Sequence, residues 1–245
     1  MLLWIIGFSI LGSVGAVLGA SLFLFFPDSI RRILVPYLIS YATGTLLGAA
    51  FLGMIPAGLR QAPTVAVMAT VLAGIVLFFT LEKFVLWRHC HDSQCELHSR
   101  AGPLILIGDA FHNFVDGVVI AAAFLTSIPL GIAASLAVIA HEVPQEVGDF
   151  AILLDSGYGR MRALVLNGLS SATTLPGAVA TYLWLGETHA AVPYILALSA
   201  ASFIYIAAAD LIPGLHKQVT PAASLRQLVL LLAGIGTIVL FHFGG

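Results

Sequence analysis

Two apolar stretches of this chain each carry a cluster of side chains able to ligate a metal ion. GDAFHNFVDG places Asp109, His112, Asn113 and Asp116 within eight residues, and HEVPQEVGD places His141, Glu142, Gln145, Glu146 and Asp149 within nine. At about 100° per helical residue, the first set falls within an arc of roughly 100° and the second within roughly 140°. Each helix therefore presents one polar stripe and keeps an apolar back. Two such stripes facing each other across a hairpin would form a cage of imidazole and carboxylate. Mixed nitrogen and oxygen ligands with no thiol at that depth suit Zn²⁺, with Fe²⁺, Mn²⁺ or Cd²⁺ as alternatives. They do not make the all-oxygen shell that Mg²⁺ or Ca²⁺ prefers.

The charge balance points the same way. An ionisable residue at mid-membrane costs about 2.5–3.5 kcal/mol on insertion scales. A lone example such as Asp210 can be explained by helix packing. Asp116, Glu142 and Glu146 together, with no Lys or Arg at their depth, leave negative charge that a divalent cation or protons must balance.

That these stretches lie in a membrane follows from composition. The chain has 245 residues, of which 60% are hydrophobic and 9% charged, and its mean hydropathy is +1.04. A soluble domain is about 25% charged. No basic patch suits nucleic acid. About 20 apolar residues cross a bilayer core, and eight such segments are expected: 2–26, 33–58, 64–88, 102–126, 129–154, 161–185, 191–214 and 223–243. The first lacks a charged leader region and is too long for a signal peptide, so it is expected to remain as a spanning helix. The predicted fold class is all-α, a polytopic eight-helix bundle forming one transport domain over 1–245, with proline-kinked fourth and fifth helices.

Basic residues orient the chain. Connections one, three, five and seven hold Arg31, Arg32, Lys83, Arg88, Arg100, Arg160, Arg162, Lys217 and Arg226, whereas the even-numbered side holds only Arg60. Nine against one places the odd connections in the cytoplasm and both termini outside. The expected location is a bacterial cytoplasmic (inner) membrane. The long polar connection at 88–101 carries His89, Cys90, His91, Cys95 and His98, a set open to either transient metal capture or plain solvation.

Pro56, Pro144, Pro176 and Pro213 lie in or near spanning segments. Pro144 cannot donate to the carbonyl of Ala140, which predicts a kink and a free acceptor beside the ligands. The second and seventh segments share an ending, IPAGL at 55–59 and IPGL at 212–215. This suggests related halves, as in transporters built from inverted repeats.

HNFVDG at 112–117 and HEVPQEVGD at 141–149 resemble the paired motifs of the fourth and fifth helices of the ZIP (Zrt/Irt-like) metal transporters. The resemblance implies uptake of a divalent metal into the cytosol by alternating access, with elevator-like movement of the metal-bearing helices. It also implies His112, Asp116 and Glu142 as principal ligands, and Asn113 at a neighbouring second position with bridging carboxylates. Two residues depart from the pattern. Gln145 stands where His or Glu is usual, and Gly53 stands where many members carry the His of an LHLIP motif. A neutral Gln weakens the second position unless Glu146 turns in to replace it.

Smaller expectations complete the set. Asp109 and Asp149 are read as lining an exit path or as packing residues, Asp210 as an inner-pathway acid, and Met54 as a soft ligand or core residue. The expected partners are the transported ion, the bilayer and, in one arrangement left open, a second copy of the chain; no resident cofactor is expected. A rival class, an intramembrane zinc hydrolase, would want HExxH, and Gln145 breaks that motif.

Overall fold

Hydrocarbon offers no partner for a bare peptide group, so an apolar chain crossing it must close its hydrogen bonds within each segment, as helix. The computed structural model describes residues 1–23, 26–87, 97–185, 189–217 and 220–243, and among these there is helix and no strand. We number eight spanning elements. α1 is Leu2–Phe23. α2 runs Asp28–Gly48 and continues through Ala49–Met54 and Ile55–Leu59. α3 is Thr64–Trp87, α4 Leu97–Thr126 and α5 Ile128–Asp155. α6 has two parts, Arg160–Ser171 and Thr174–Leu185. α7 runs Val192–Tyr205, Ile206–Leu211 and Ile212–Leu215, and α8 is Pro221–Phe243. All eight are long and apolar enough to cross a membrane, and their limits lie within a few residues of the expected ones.

The difference comes at the long connection. α4 begins at Leu97, so the last part of the expected 88–101 loop is helix. The helix runs back from Leu104 through Pro103 and Gly102 to Leu97. Residues 88–96, with His89, Cys90, His91 and Cys95, lie outside the described residues.

Several hydroxyls within the spans are satisfied by their own helices. Ser13, Ser21, Thr43 and Ser135 each donate to the carbonyl four residues earlier at 2.7–2.8 Å, which lets polar residues enter an apolar layer at little cost. Glycines then set how closely helices approach. A β-carbon at Gly117 would overlap the carbonyl of Thr174, and one at Gly177 that of Phe114, so α4 and α6 touch backbone to backbone. Gly44 and Gly234 do the same for α2 and α8, against Leu231 and Tyr41. This is the small-residue packing that bilayers favour, where apolar side chains gain nothing by leaving lipid.

Within the bundle α4 packs on α5 and α6, α1 on α5 and α6, α2 on α8, and α3 on α7; α5 also meets α2 and α8. Ile5, Leu46, Met54, Phe124, Leu130, Leu196 and Phe203 share the buried core between them. Leu225, Leu228, Val229 and Leu232 of α8, and Leu72, Val76 and Phe79 of α3, stay exposed, as faces that meet acyl chains do.

α2 and α7 share an internal plan. Each is α-helical, widens into a six-residue π-helical turn, and resumes with proline at its second position. The proline ring would clash with the carbonyl four residues back in a regular α-helix. In both helices that residue, Leu52 or Ala209, lies inside the π turn. The shared ending noted in the sequence thus has a shared backbone solution, on two spans that run in opposite directions.

Candidate metal centre

α4 and α5 are joined by Ser127 alone. Its Oγ accepts from the Leu130 N–H at 3.2 Å and caps α5, whose first turn holds Pro129. So short a turn forces the helices antiparallel and side by side. His112 lies fifteen residues before Ser127 and Glu142 fifteen after, so the hairpin itself brings the two clusters level.

Four ligand-type atoms converge where the stripes meet. His112 Nε2 lies 3.1 Å from His141 Nε2, 3.4 Å from Glu142 Oε1 and 3.7 Å from Asp116 Oδ2. His141 Nε2 lies 3.2 Å from Asp116 Oδ2 and 3.7 Å from Glu142 Oε1. Ligand bonds of about 2.0–2.2 Å give a tetrahedral zinc site edges of roughly 3.3–3.6 Å. The measured separations of 3.1–3.7 Å bracket that range.

The hydrogen bonds prepare the group for a cation. His141 Nδ1 is 2.9 Å from the carbonyl of Ala137, an acceptor, so Nδ1 carries hydrogen there. That contact fixes the ring and turns the lone pair of Nε2 toward Asp116, as an outer partner does for a metal-binding histidine. Phe203 of α7 meets the same ring edge to face, with centroids 5.9 Å apart. Both oxygens of Asp116, of Glu142 and of Glu146 are buried with no hydrogen-bond partner, although buried polar atoms are normally satisfied. The side chains of Asp116, His141 and Glu142 are 0–1% exposed and that of His112 is 19% exposed, so His112 marks the way in.

The other expected residues are placed differently. Glu146 is buried one turn along α5 and offers a carboxylate oxygen near those of Glu142 and Asp109. Asn113 and Gln145 turn to Asp109 instead. Asn113 Nδ2 donates to Asp109 Oδ1 at 2.9 Å and Gln145 Nε2 to the same oxygen at 3.2 Å. Asn113 Oδ1 accepts from Thr174 Oγ1 at 3.1 Å. Asp109 Oδ2 accepts from Ser170 Oγ at 2.5 Å. Asp149 is buried beside Asp109. Met54 is fully buried in the apolar core, on the π turn of α2. Asp210 is exposed on the π turn of α7, where Tyr205 donates to Glu82 of α3. Pro144 lies inside α5, which is helical without a break on either side of it.

Sequence reasoning passed over α6, which supplies Asn167, Ser170, Ser171 and Thr174 to this region, with Asn167 Nδ2 donating to the Glu146 carbonyl at 3.3 Å. A signal was there in NGLSSATT, a run of small polar residues inside a spanning segment. α6 opens at Ala172 and Thr173, where Thr173 Oγ1 donates to the carbonyls of Ala110 and Ser170 at 2.5 and 2.8 Å.

Fold and site together define a polytopic membrane protein with a buried histidine and carboxylate centre. The profile of the ZIP Zinc transporter family matches residues 87–242, and the chain belongs to that family. It is 36% identical over 223 residues to "Zinc transporter ZIP13" of Pongo abelii, covering 83% of this chain and 66% of that protein. It is 28% identical over 307 residues to "Zinc transporter SLC39A7" of Rattus norvegicus, covering 86% of this chain and 65% of that protein. To "Zinc transporter ZIP13" of Homo sapiens it is 31% identical over 267 residues, covering 83% and 70%. The chain thus spans just under two thirds of the length of the first two.

Proposed function

We propose that this chain carries a divalent transition metal, zinc before Fe²⁺, Mn²⁺ or Cd²⁺, across the bilayer into the cytoplasm by alternating access. The observation that carries this reading is the set of four atoms, His112 Nε2, His141 Nε2, Asp116 Oδ2 and Glu142 Oε1, all but the first on fully buried side chains, spaced at the edges of a zinc tetrahedron beside carboxylates with no hydrogen-bond partner among the described residues. Membership of a family whose relatives are named as zinc transporters supports it. Zinc bound there balances the charges of Asp116 and Glu142, and a site with less net charge costs less to move past apolar surface. The excess of basic residues on the odd connections supports both termini outside, and inward flow across a bacterial cytoplasmic membrane is part of the proposal. Movement of α4 and α5 against the other helices is the proposed form of alternating access, and membership of the family supports it. A hydrolase is disfavoured, since Gln145, which takes the second histidine position of HExxH, donates to Asp109.

Zinc entry into proteoliposomes loaded with a fluorescent zinc indicator tests the proposal. The parent is expected to fill the vesicles, and Asp116→Ala and Glu142→Ala are expected not to. Normal uptake by both variants would remove this site from the mechanism.

A further inference from the structure

Four of the five buried carboxylates of α4 and α5 divide sharply by their partners, and the fifth, Asp149, lies beside Asp109. Among the described residues, the side-chain oxygens of Asp116, Glu142 and Glu146 are buried without a hydrogen-bond partner. Asp109, buried to a similar degree, has three, each from a different helix. They are Asn113 Nδ2 of α4 at 2.9 Å, Gln145 Nε2 of α5 at 3.2 Å and Ser170 Oγ of α6 at 2.5 Å. Two carboxylate oxygens offer about four lone-pair positions, so little of Asp109 is left for a metal ion. Asn113, next in sequence to His112, is held in turn through its carbonyl by Thr174 of α6, and its amide also reaches the Asp109 backbone carbonyl at 3.2 Å.

We infer that Asp109 is a positioning residue: its carboxylate clasps α4, α5 and α6 together and thereby fixes the register of His112 and Asp116 against His141 and Glu142. The inference rests on the metal reading of that centre. Gln145 takes part as an amide donor. A carboxylate in its place would face Asp109 charge to charge, and an alanine would leave Oδ1 one donor short. Ser170 works from outside the metal group altogether, and its single hydroxyl hydrogen is shared between Asp109 and the Leu106 carbonyl, whose oxygen lies 3.0 Å from Oγ. Losing the clasp lets one stripe shift against the other, so the ligand atoms no longer meet at tetrahedral edges.

The test is zinc titration by calorimetry on the purified full chain, with the number of bound zinc ions per chain read by elemental analysis. The variants are Ser170→Ala, Asp109→Ala and Asp109→Asn. Ser170→Ala and Asp109→Ala are expected to raise the zinc Kd by about 10- to 100-fold, the usual effect of removing an outer partner of a metal ligand. Asp109→Asn keeps the shape, and the Ser170 hydroxyl can rotate to accept from its amide, so its Kd stays close to that of the parent. The zinc count per chain is the same in all four proteins. Two results would overturn the inference: an unchanged Kd in both alanine variants, or an Asp109→Asn that binds fewer zinc ions, which would make Asp109 a ligand. If the parent binds no zinc, the metal reading fails, and melting of the zinc-free proteins decides the clasp alone. Lower melting of the two alanine variants with recovery in Asp109→Asn supports it, and equal melting of all four overturns it.

Discussion

Asp116→Asn is the most informative single change, because it keeps the volume and one oxygen while removing a charge. Asp116 is completely buried, lies 3.2 Å from His141 Nε2, and receives no hydrogen bond. Removing one partner from a buried charged pair costs about 3–5 kcal/mol. At about 1.4 kcal/mol per tenfold, that raises the zinc Kd by roughly two to nearly four orders of magnitude. Stability transmits the loss. At zinc equal to about 1,000 times the parent Kd, binding stabilises the folded chain by about 4 kcal/mol, and a variant weakened about 1,000-fold keeps only about 0.4 kcal/mol of that. A chain of this size shifts its melting temperature by roughly 2–4 °C per kcal/mol. The zinc-induced rise in Tm should therefore shrink by about 7–14 °C relative to the parent. The assay is differential scanning fluorimetry in detergent with a chelator control. An equal zinc-induced rise in the parent, Asp116→Asn and Glu142→Gln would refute the reasoning.

Three further outcomes follow from the same coordinates. Gly117→Ala or Gly177→Ala inserts a methyl against a helix carbonyl, so each variant should lose about 1–3 kcal/mol by overpacking, read as a lower Tm in zinc-free protein; unchanged melting would mean that α4 and α6 do not touch backbone to backbone. Imidazole binds metal only without its Nε2 proton, so zinc affinity should fall as pH drops from about 7.5 to about 5.5, which calorimetry at the two pH values checks. Nitrogen ligands put Mg²⁺ and Ca²⁺ at a disadvantage, so a large excess of either should leave zinc uptake by proteoliposomes unchanged.

Much of the architecture was legible because a bilayer leaves a chain few choices. Eight apolar runs and short connections determine eight helices, and the single residue Ser127 between α4 and α5 makes their polar stripes face each other. Helical spacing was enough to place His112, Asp116, His141 and Glu142 together. It could not separate carboxylates that find donors from those that do not, because Asp109 and Asp116 share a residue type, a helix and nearly the same face. Their difference comes from α6, some 60 residues away in sequence, which brings Ser170 to one and nothing to the other. Nor could the spacing show the π turns of α2 and α7, which depend on how a proline ring meets the preceding carbonyls.

The sorting of carboxylates also bears on Gln145. In the sequence a neutral amide in a line of acids looks like a defective ligand. In the fold it is the donor that Asp109 accepts from α5, and an acid at this half-buried position would face Asp109 charge to charge instead. Buried charge is tolerable in two ways, by donors built into the protein or by a cation that arrives. Asp109 has the first. Asp116, Glu142 and Glu146 have only the second, which is why the zinc-linked stability of this chain should reside in those three residues and His112 and His141, and should be lost with Asp116→Asn yet largely kept with Asp109→Asn.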